Sequence, residues 1–185
     1  MPKPGRFSYY ARLSAEQKAT YRKSDSVPAI PIPDAPALAH LVVDLEVALG
    51  SGRRPKVAAA TTALSDALLD QLGAPRVKIH VREVRPEIDG GELHGLYTFA
   101  TGEKAPKLEV WMRTAAQAKT VKFRTFLRTL LHEIVHHLDV TILELDDSFH
   151  TEGFFRRESS LVRQLLGTPP KTEPPQKKKE QLSLF

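Results

Sequence analysis

The chain has 185 residues, a formal net charge of +5 and no cysteine. This length suits one domain with short appendages, since domains cluster at about 100–150 residues, and the missing cysteines exclude disulfides, cysteine nucleophiles and thiolate metal sites. Because no apolar run reaches the ~20 residues of a membrane span, we expect a cytoplasmic protein, nucleoid-associated where it meets DNA, with no membrane partner.

Basic residues are concentrated at the two ends of the chain. Residues 1–24 contain six Lys or Arg and one acid, and residues 171–185 contain four Lys and two Glu. Basic segments favour polyanions through counterion release, although the same charge also serves solubility alone. We therefore expect a near-neutral body between two flexible basic arms, residues 1–33 and 168–185, with non-specific DNA contact through these arms.

The first half of the chain has helical periodicity. Ser14 followed by Gln17 has the pattern of a capping box, which predicts a short helix over residues 15–23. A proline-rich stretch then predicts an extended exit. Leucines at helical spacing predict helices over residues 37–49 and 57–72, each ending at a glycine.

The second half begins with a change of period from 3.6 to two, which predicts strands. The predicted elements, in chain order, are strands 77–82, 93–100 and 107–113 and helices 119–143 and 151–166. Helices followed by a small three-stranded sheet and two further helices are typical of an α+β fold. We expect one such domain over residues 34–167.

The predicted helix 119–143 carries the sequence His132-Glu133-Ile134-Val135-His136. Residues four apart on a helix lie one turn apart on the same face, so the two imidazoles can share one tetrahedral ion. Glu133 lies slightly around the helix, where its carboxylate can take a proton from an attacking water and deliver it to the leaving amine. The pattern predicts a metallohydrolase centre, and an amphipathic core helix with surface histidines is the alternative.

A catalytic zinc usually has three protein ligands, so a third ligand is expected further along the chain. His150 lies at the start of the last predicted helix, and Glu158 lies two turns after it. We favour His150 over Glu158, because imidazole suits zinc and a helix start is a rigid mount. Asp139 is predicted to support a ligand from behind, and His137, which points away from the ligand face, is predicted to be structural.

The spacing of these residues resembles that of the SprT-like zinc metallopeptidases, in which a two-His helix is followed by a His-Gly-x-x-Phe-like element. The matching positions are His132, Glu133, His136, His150 and Phe154. The chain departs from the family pattern at Gly153, which does not directly follow the third His, so Glu158 remains the alternative ligand. The resemblance covers about residues 93–166. It implies a minimal zincin-like metallopeptidase domain that binds Zn²⁺ and uses Glu133 in catalysis.

The same resemblance implies where a substrate would bind. The strand over residues 107–113, just before the motif helix, would be the sheet edge that pairs with an extended peptide. Its candidate contact residues are Leu108, Val110 and Met112. The alternative is that these three residues are ordinary strand core.

The last five residues, Gln181-Leu182-Ser183-Leu184-Phe185, put apolar side chains at the end of a polar, predicted disordered tail. They closely resemble the peptide with which DNA polymerases and repair proteins bind the bacterial replicative sliding clamp. In that peptide the Gln forms hydrogen bonds and the Leu and Phe side chains fill hydrophobic pockets, which implies clamp binding by Gln181, Leu182, Leu184 and Phe185. A tail that folds back on the body is the alternative.

Together these features resemble a protease delivered to DNA. The SprT-like group includes enzymes that cleave proteins trapped covalently on DNA, and its eukaryotic member Spartan carries its own clamp-binding peptide. We therefore expect a zinc endopeptidase that acts on DNA-associated or DNA-crosslinked proteins and is recruited by the sliding clamp. Two alternatives stay open: a non-catalytic clamp adaptor with a structural metal site, and a regulatory metalloprotease that cleaves a repressor.

Overall fold

The structure, a computed structural model, describes residues 7–89 and 91–167. Within them the helices are α1 (Ala15–Asp25), α2 (Ala39–Gly50), α3 (Arg54–Leu72), α4 (Phe123–Thr141) and α5 (Glu152–Leu166). The strands are β1 (Lys78–Val84), β2 (Glu87–Ile88), β3 (Gly91–Glu92), β4 (Gly95–Thr98) and β5 (Lys107–Arg113). The predicted α+β class is confirmed. The predicted tail, with its clamp-binding residues, lies outside the described residues.

Local sequence signals explain where the helices begin and end. The capping box that begins α1 is present, because Ser14 Oγ accepts from the backbone N–H of Gln17 while the Gln17 side chain accepts from the N–H of Ser14. Helix α3 ends at Gly73, whose φ of 68° is the left-handed conformation that glycine adopts without steric cost. Helix α5 begins after Thr151, whose side chain accepts from the N–H of Phe154.

The larger sheet has the strand order β1-β5-β4. Strand β5 pairs with β1 in parallel and with β4 in antiparallel orientation, so it is the central strand. Leu108, Val110 and Met112 are fully buried. The prediction that this strand is a substrate-binding edge was therefore wrong: alternating apolar residues indicate a strand, but long-range pairing decides which strand lies at the edge.

Helix α4 is the central helix of the core. It contacts β4, β5 and α5, and its apolar residues are buried around most of its circumference, as expected for a helix inside a core. The fully buried apolar residues of α4 include Leu127, Leu130, Leu131, Ile134, Val135 and Leu138. The His132–His136 motif therefore lies on a helix that is packed into the core. No helix in the described part of the chain has the length and apolar character needed to cross a membrane.

Residues 7–33, here called the N-terminal segment, pack against the body. Tyr10, Tyr21, Ile30 and Ile32 are buried, and α1 contacts α5. The prediction of a flexible arm over this stretch was wrong for these residues. Its charge suggested a solvated segment, but Tyr10 and Tyr21 pack on each other with ring centroids 4.9 Å apart, and Ile30 and Ile32 join the core.

Candidate metal centre

Three histidine side chains converge beside the C-terminal half of the motif helix. His132 and His136 come from α4, and His150 comes from the loop just before α5. The Nε2 atom of His150 lies 2.9 Å from that of His132 and 3.1 Å from that of His136. This arrangement could hold a metal ion.

Glu158 supports His132 from the side opposite the cluster. Its Oε2 lies 2.8 Å from Nδ1 of His132, and its other oxygen pairs with Arg128. A carboxylate at Nδ1 fixes the proton there and leaves Nε2 free to bind a metal. The structure therefore places Glu158 as a partner of His132, and His150 occupies the position expected of the third ligand.

A longer chain of hydrogen bonds supports His136. The Ser148 hydroxyl lies 2.7 Å from Nδ1 of His136 and donates to Asp139 Oδ2 at 2.9 Å. Because this hydroxyl has one proton and gives it to Asp139, it accepts from the Nδ1–H of His136. Asp139 is in turn paired with Arg157 at 2.8 Å. Asp139 thus acts on His136 through Ser148, and the Nε2 of His136 also faces the cluster without a proton.

The geometry and protonation of this cluster fit a metal ion. Around a tetrahedral ion with nitrogen ligands at about 2.0–2.1 Å, the nitrogens lie about 3.3 Å apart, close to the Nε2 separations seen here. Burial, with the neighbouring His132 and His150, lowers the pKa of His136 to about 3. Its imidazole is therefore neutral at pH 7, as a ligand must be. A set of imidazoles suits zinc, copper, iron and nickel.

Glu133 is a buried carboxylate beside this cluster. Its side chain packs on β4 so closely that a Cβ at Gly95 would lie 2.4 Å from its Oε1, which explains the glycine there. Burial raises the pKa of Glu133 to about 7, so this group can both accept and release a proton near neutral pH.

A cleft of about 590 Å³ opens beside His132 and Glu133. It lies between one face of α4 and the chain from β3 to the start of β4. Its lining residues are Glu92, His94, Gly95, Arg124, Thr125, Arg128, Thr129, His132, Glu133 and Glu158. The cleft therefore reaches His132 and Glu133, whereas His136 and His150 are not among its lining residues.

Phe154 and His137 organise the surroundings of the cluster in different ways. The buried ring of Phe154 packs against all three imidazoles, with ring centroids 4.6–5.0 Å apart. His137 faces the other way: its Nε2 donates to the carbonyl of Pro75 at 2.7 Å, and its Nδ1 accepts from the Tyr97 hydroxyl at 3.0 Å. His137 therefore links α4 to the fold, as the sequence predicted.

Sequence reasoning missed two polar residues that organise the site, Ser148 and Arg157. Ser148 lies in the short α4–α5 link, where a hydroxyl next to two acids gave no distinctive spacing. Arg157 left a clearer signal, because it lies three residues after Phe154 on the face of α5 that also carries Leu161 and Leu165. A charged residue in such a stripe needs a buried partner, and Asp139 is that partner.

Comparison of the chain with protein-family models, with curated proteins and with solved structures gave no match. The chemistry of the site is therefore inferred from its own side chains.

Proposed function

We propose that this chain is a zinc-dependent endopeptidase that acts on DNA-associated or DNA-crosslinked proteins and is recruited by the replicative sliding clamp. One observation carries the enzymatic part of the proposal. Three imidazoles that face one point stand beside a buried carboxylate, Glu133, at the edge of an open cleft.

The ligand set favours a catalytic metal over a structural one. Structural zinc sites in proteins are closed by four protein ligands, whereas catalytic sites have three and keep one position for water or substrate. The cluster in the described chain has three members, and His150 is exposed to solvent. A non-catalytic adaptor would also have no use for a carboxylate whose pKa is held near neutrality beside the cluster.

The proposed reaction is hydrolysis of a peptide bond. Zinc, when bound, lowers the pKa of water to about 7 and polarises the scissile carbonyl. Glu133 takes the proton of the attacking water and delivers it to the leaving amine. Glu158 and Ser148 keep the Nδ1 protons of His132 and His136 in place, so that both Nε2 atoms stay available to the metal.

The substrate strand is assigned to the edge of β4. In the described chain β4 pairs with β5 on one side, and the other side borders the cleft through Gly95. A peptide that adds to this edge by main-chain hydrogen bonds is read with little sequence preference, and its scissile bond lies near Glu133.

The targeting part of the proposal is supported by the sequence alone. Gln181, Leu182, Leu184 and Phe185 would bind the clamp, while the basic residues near both ends add contact with DNA. A short flexible tether raises the local concentration of an attached enzyme to roughly millimolar. Phe185→Ala is expected to abolish clamp capture in a pull-down and to leave cleavage in free solution unchanged.

Glu133→Gln tests the enzymatic part. The variant is expected to bind zinc with the stoichiometry of the unmodified chain and to lose cleavage of a DNA-crosslinked model protein by at least about 10²–10⁴-fold, the usual contribution of a general base. Glu103→Gln, the same change in the β4–β5 loop, is the matched control and should cleave normally. Normal turnover by Glu133→Gln would disprove the assigned role.

A further inference from the structure

The third histidine is held differently from the other two. His132 and His136 each have a hydrogen-bond partner at Nδ1. Within the described chain the Nδ1 of His150 has none, and this residue lies in the loop before α5 rather than on a helix. Its position therefore depends on what holds the backbone of the loop and on the packing of its ring.

The N-terminal segment supplies the contacts that hold this backbone. The Tyr9 hydroxyl donates to the carbonyl oxygen of His150 at 2.9 Å. The next residue, Thr151, shares a hydrogen bond of 3.0 Å with Ser24. Burial and the nearby Tyr21 raise the pKa of Tyr9 to about 12, so its phenol keeps the donated proton throughout the neutral range.

The end of α1 and the start of α5 touch backbone to backbone. The N–H of Gly153 donates to Asp25 Oδ1 at 2.8 Å. A Cβ at Gly153 would lie 2.4 Å from the carbonyl oxygen of Ser24 and 2.6 Å from Asp25 Cα, so a side chain at this position would push the two helices apart. The glycine that departs from the family pattern is thus the point where the N-terminal segment meets α5.

Arg157 joins the same segment to the support of His136. Its guanidinium is fully buried and donates to the carbonyl oxygens of Ser24 and Val27, each at 2.6 Å. The same group pairs with Asp139, which acts on His136 through Ser148. One docked segment therefore contacts the supports of two of the three histidines.

The N-terminal segment also supports the ring of His150, through a series of aromatic contacts. The ring stacks on Phe155 with centroids 5.7 Å apart, and Phe155 contacts Phe7 of the N-terminal segment at 6.0 Å. Phe7 in turn stacks on Tyr9 at 5.9 Å. The segment thus supports the loop of His150 through both its backbone and its ring.

We infer that the N-terminal segment is a positioning element of the metal centre, with Tyr9 and Ser24 as the positioning residues that place His150. This inference rests on the proposed metal centre but not on peptidase activity. Under this inference the basic N-terminal segment completes the ligand set. Loosening the segment should therefore weaken metal binding while the fold persists.

Tyr9→Phe tests the inference with the smallest change available. It is expected to weaken Zn²⁺ binding about tenfold in a chelator competition, since partners outside the ligand set commonly contribute 10–100-fold. It should also reduce the visible absorption of the Co²⁺ form, which reports a ligand that has become less firmly bound. Tyr10→Phe, the same change at the next residue, is the matched control, because the Tyr10 hydroxyl accepts from Arg22 instead.

A double-mutant cycle with His150→Ala separates positioning from general stability. In the His150→Ala background, Tyr9→Phe should leave Zn²⁺ affinity unchanged, because the residue it places is gone. Ser24→Ala should keep only a smaller loss there, because the Ser24 hydroxyl also accepts a hydrogen bond from Arg157, which belongs to the support of His136. An undiminished loss in that background, or equal losses for Tyr9→Phe and Tyr10→Phe, would overturn the inference alone. No Zn²⁺ binding by the unmodified chain would overturn the proposed centre and the inference together.

Discussion

His132 and His136 stand one turn apart on α4, yet their Nδ1 atoms have different kinds of support. His132 meets the carboxylate of Glu158 directly. His136 meets the neutral hydroxyl of Ser148, and the carboxylate of Asp139 follows one step behind. Both arrangements keep the proton on Nδ1. They differ in how much the carboxylate, Glu158 or Asp139, contributes to the stability of the fold.

The cations that pair with the two carboxylates differ in exposure. The side chain of Arg128, beside Glu158, is 57% exposed, whereas Arg157 and Asp139 are 0% exposed. An exposed cation that loses its partner is hydrated, but a buried cation is left uncompensated at high cost. The support of His132 therefore contributes less to the stability of the fold than the support of His136 does.

Asp139→Asn should give the largest effect. It leaves the buried guanidinium of Arg157 without its counter-charge, for which a loss of about 3–5 kcal/mol in the free energy of unfolding is typical. Urea denaturation of the metal-free protein measures this loss. A decrease below about 1 kcal/mol would show that the backbone carbonyls around Arg157 compensate its buried charge without Asp139. The supports of His132 and His136 would then not differ in their contribution to stability.

Acidification should give the next largest effect, through the half-buried imidazole of His136. Its pKa is about 3 in the folded chain and about 6.5 when unfolded, so below pH 6.5 the unfolded state binds a proton that the folded state does not. The free energy of unfolding should therefore fall by up to about 1.4 kcal/mol per pH unit between pH 6 and pH 4 from this group. His136→Asn should remove that part of the slope in the metal-free protein. If the free energy of unfolding had the same pH dependence in both proteins, the lowered pKa of His136 would not be the cause of the slope.

Glu158→Ala should weaken metal binding and destabilise the fold less than Asp139→Asn does. Loss of the carboxylate at Nδ1 of His132 is expected to lower Zn²⁺ affinity about 10–100-fold. Because Arg128 is then hydrated, the free energy of unfolding of the metal-free protein should fall less than in Asp139→Asn, by about 1–3 kcal/mol for the buried hydrogen bond between Glu158 and His132 that is lost. Glu158→Gln is the matched control: its amide oxygen still accepts from His132, so its loss of affinity should be smaller. If Glu158→Ala destabilised the fold as much as Asp139→Asn does, the supports of His132 and His136 would not differ in their contribution to stability.

The part of the site that could be predicted from the sequence is the part encoded by local spacing. Helical geometry alone places His132, Glu133 and His136 together, and the preference for His150 over Glu158 needed only ligand chemistry and a helix start. Ser148 and Arg157 could not be assigned, because their roles depend on how the α4–α5 link folds back and on which segment covers α5. Neither is fixed by periodicity.

The same division applies to the fold. The alternation of apolar residues predicted β1 and β5 as strands, but their parallel pairing joins segments separated by the whole β2–β4 region. That pairing makes β5 central and leaves β4 at the edge beside Glu133. The packing of the N-terminal segment was hidden for a related reason. Tyr10 and Tyr21 pack on each other, with ring centroids 4.9 Å apart, and no helical or strand period marks this contact.

Ser148→Ala should give the smallest effect and decides how far the two supports are equivalent. It removes one hydrogen bond between neutral groups, which contributes about 0.5–1.5 kcal/mol, so Zn²⁺ affinity should fall about three- to tenfold. Ser148→Thr, which keeps the hydroxyl, should recover most of it. If Ser148→Ala instead weakens Zn²⁺ binding as much as Glu158→Ala, the hydroxyl transmits the full influence of Asp139 to His136. The two histidines would then differ in the stability of their surroundings but not in their strength as ligands.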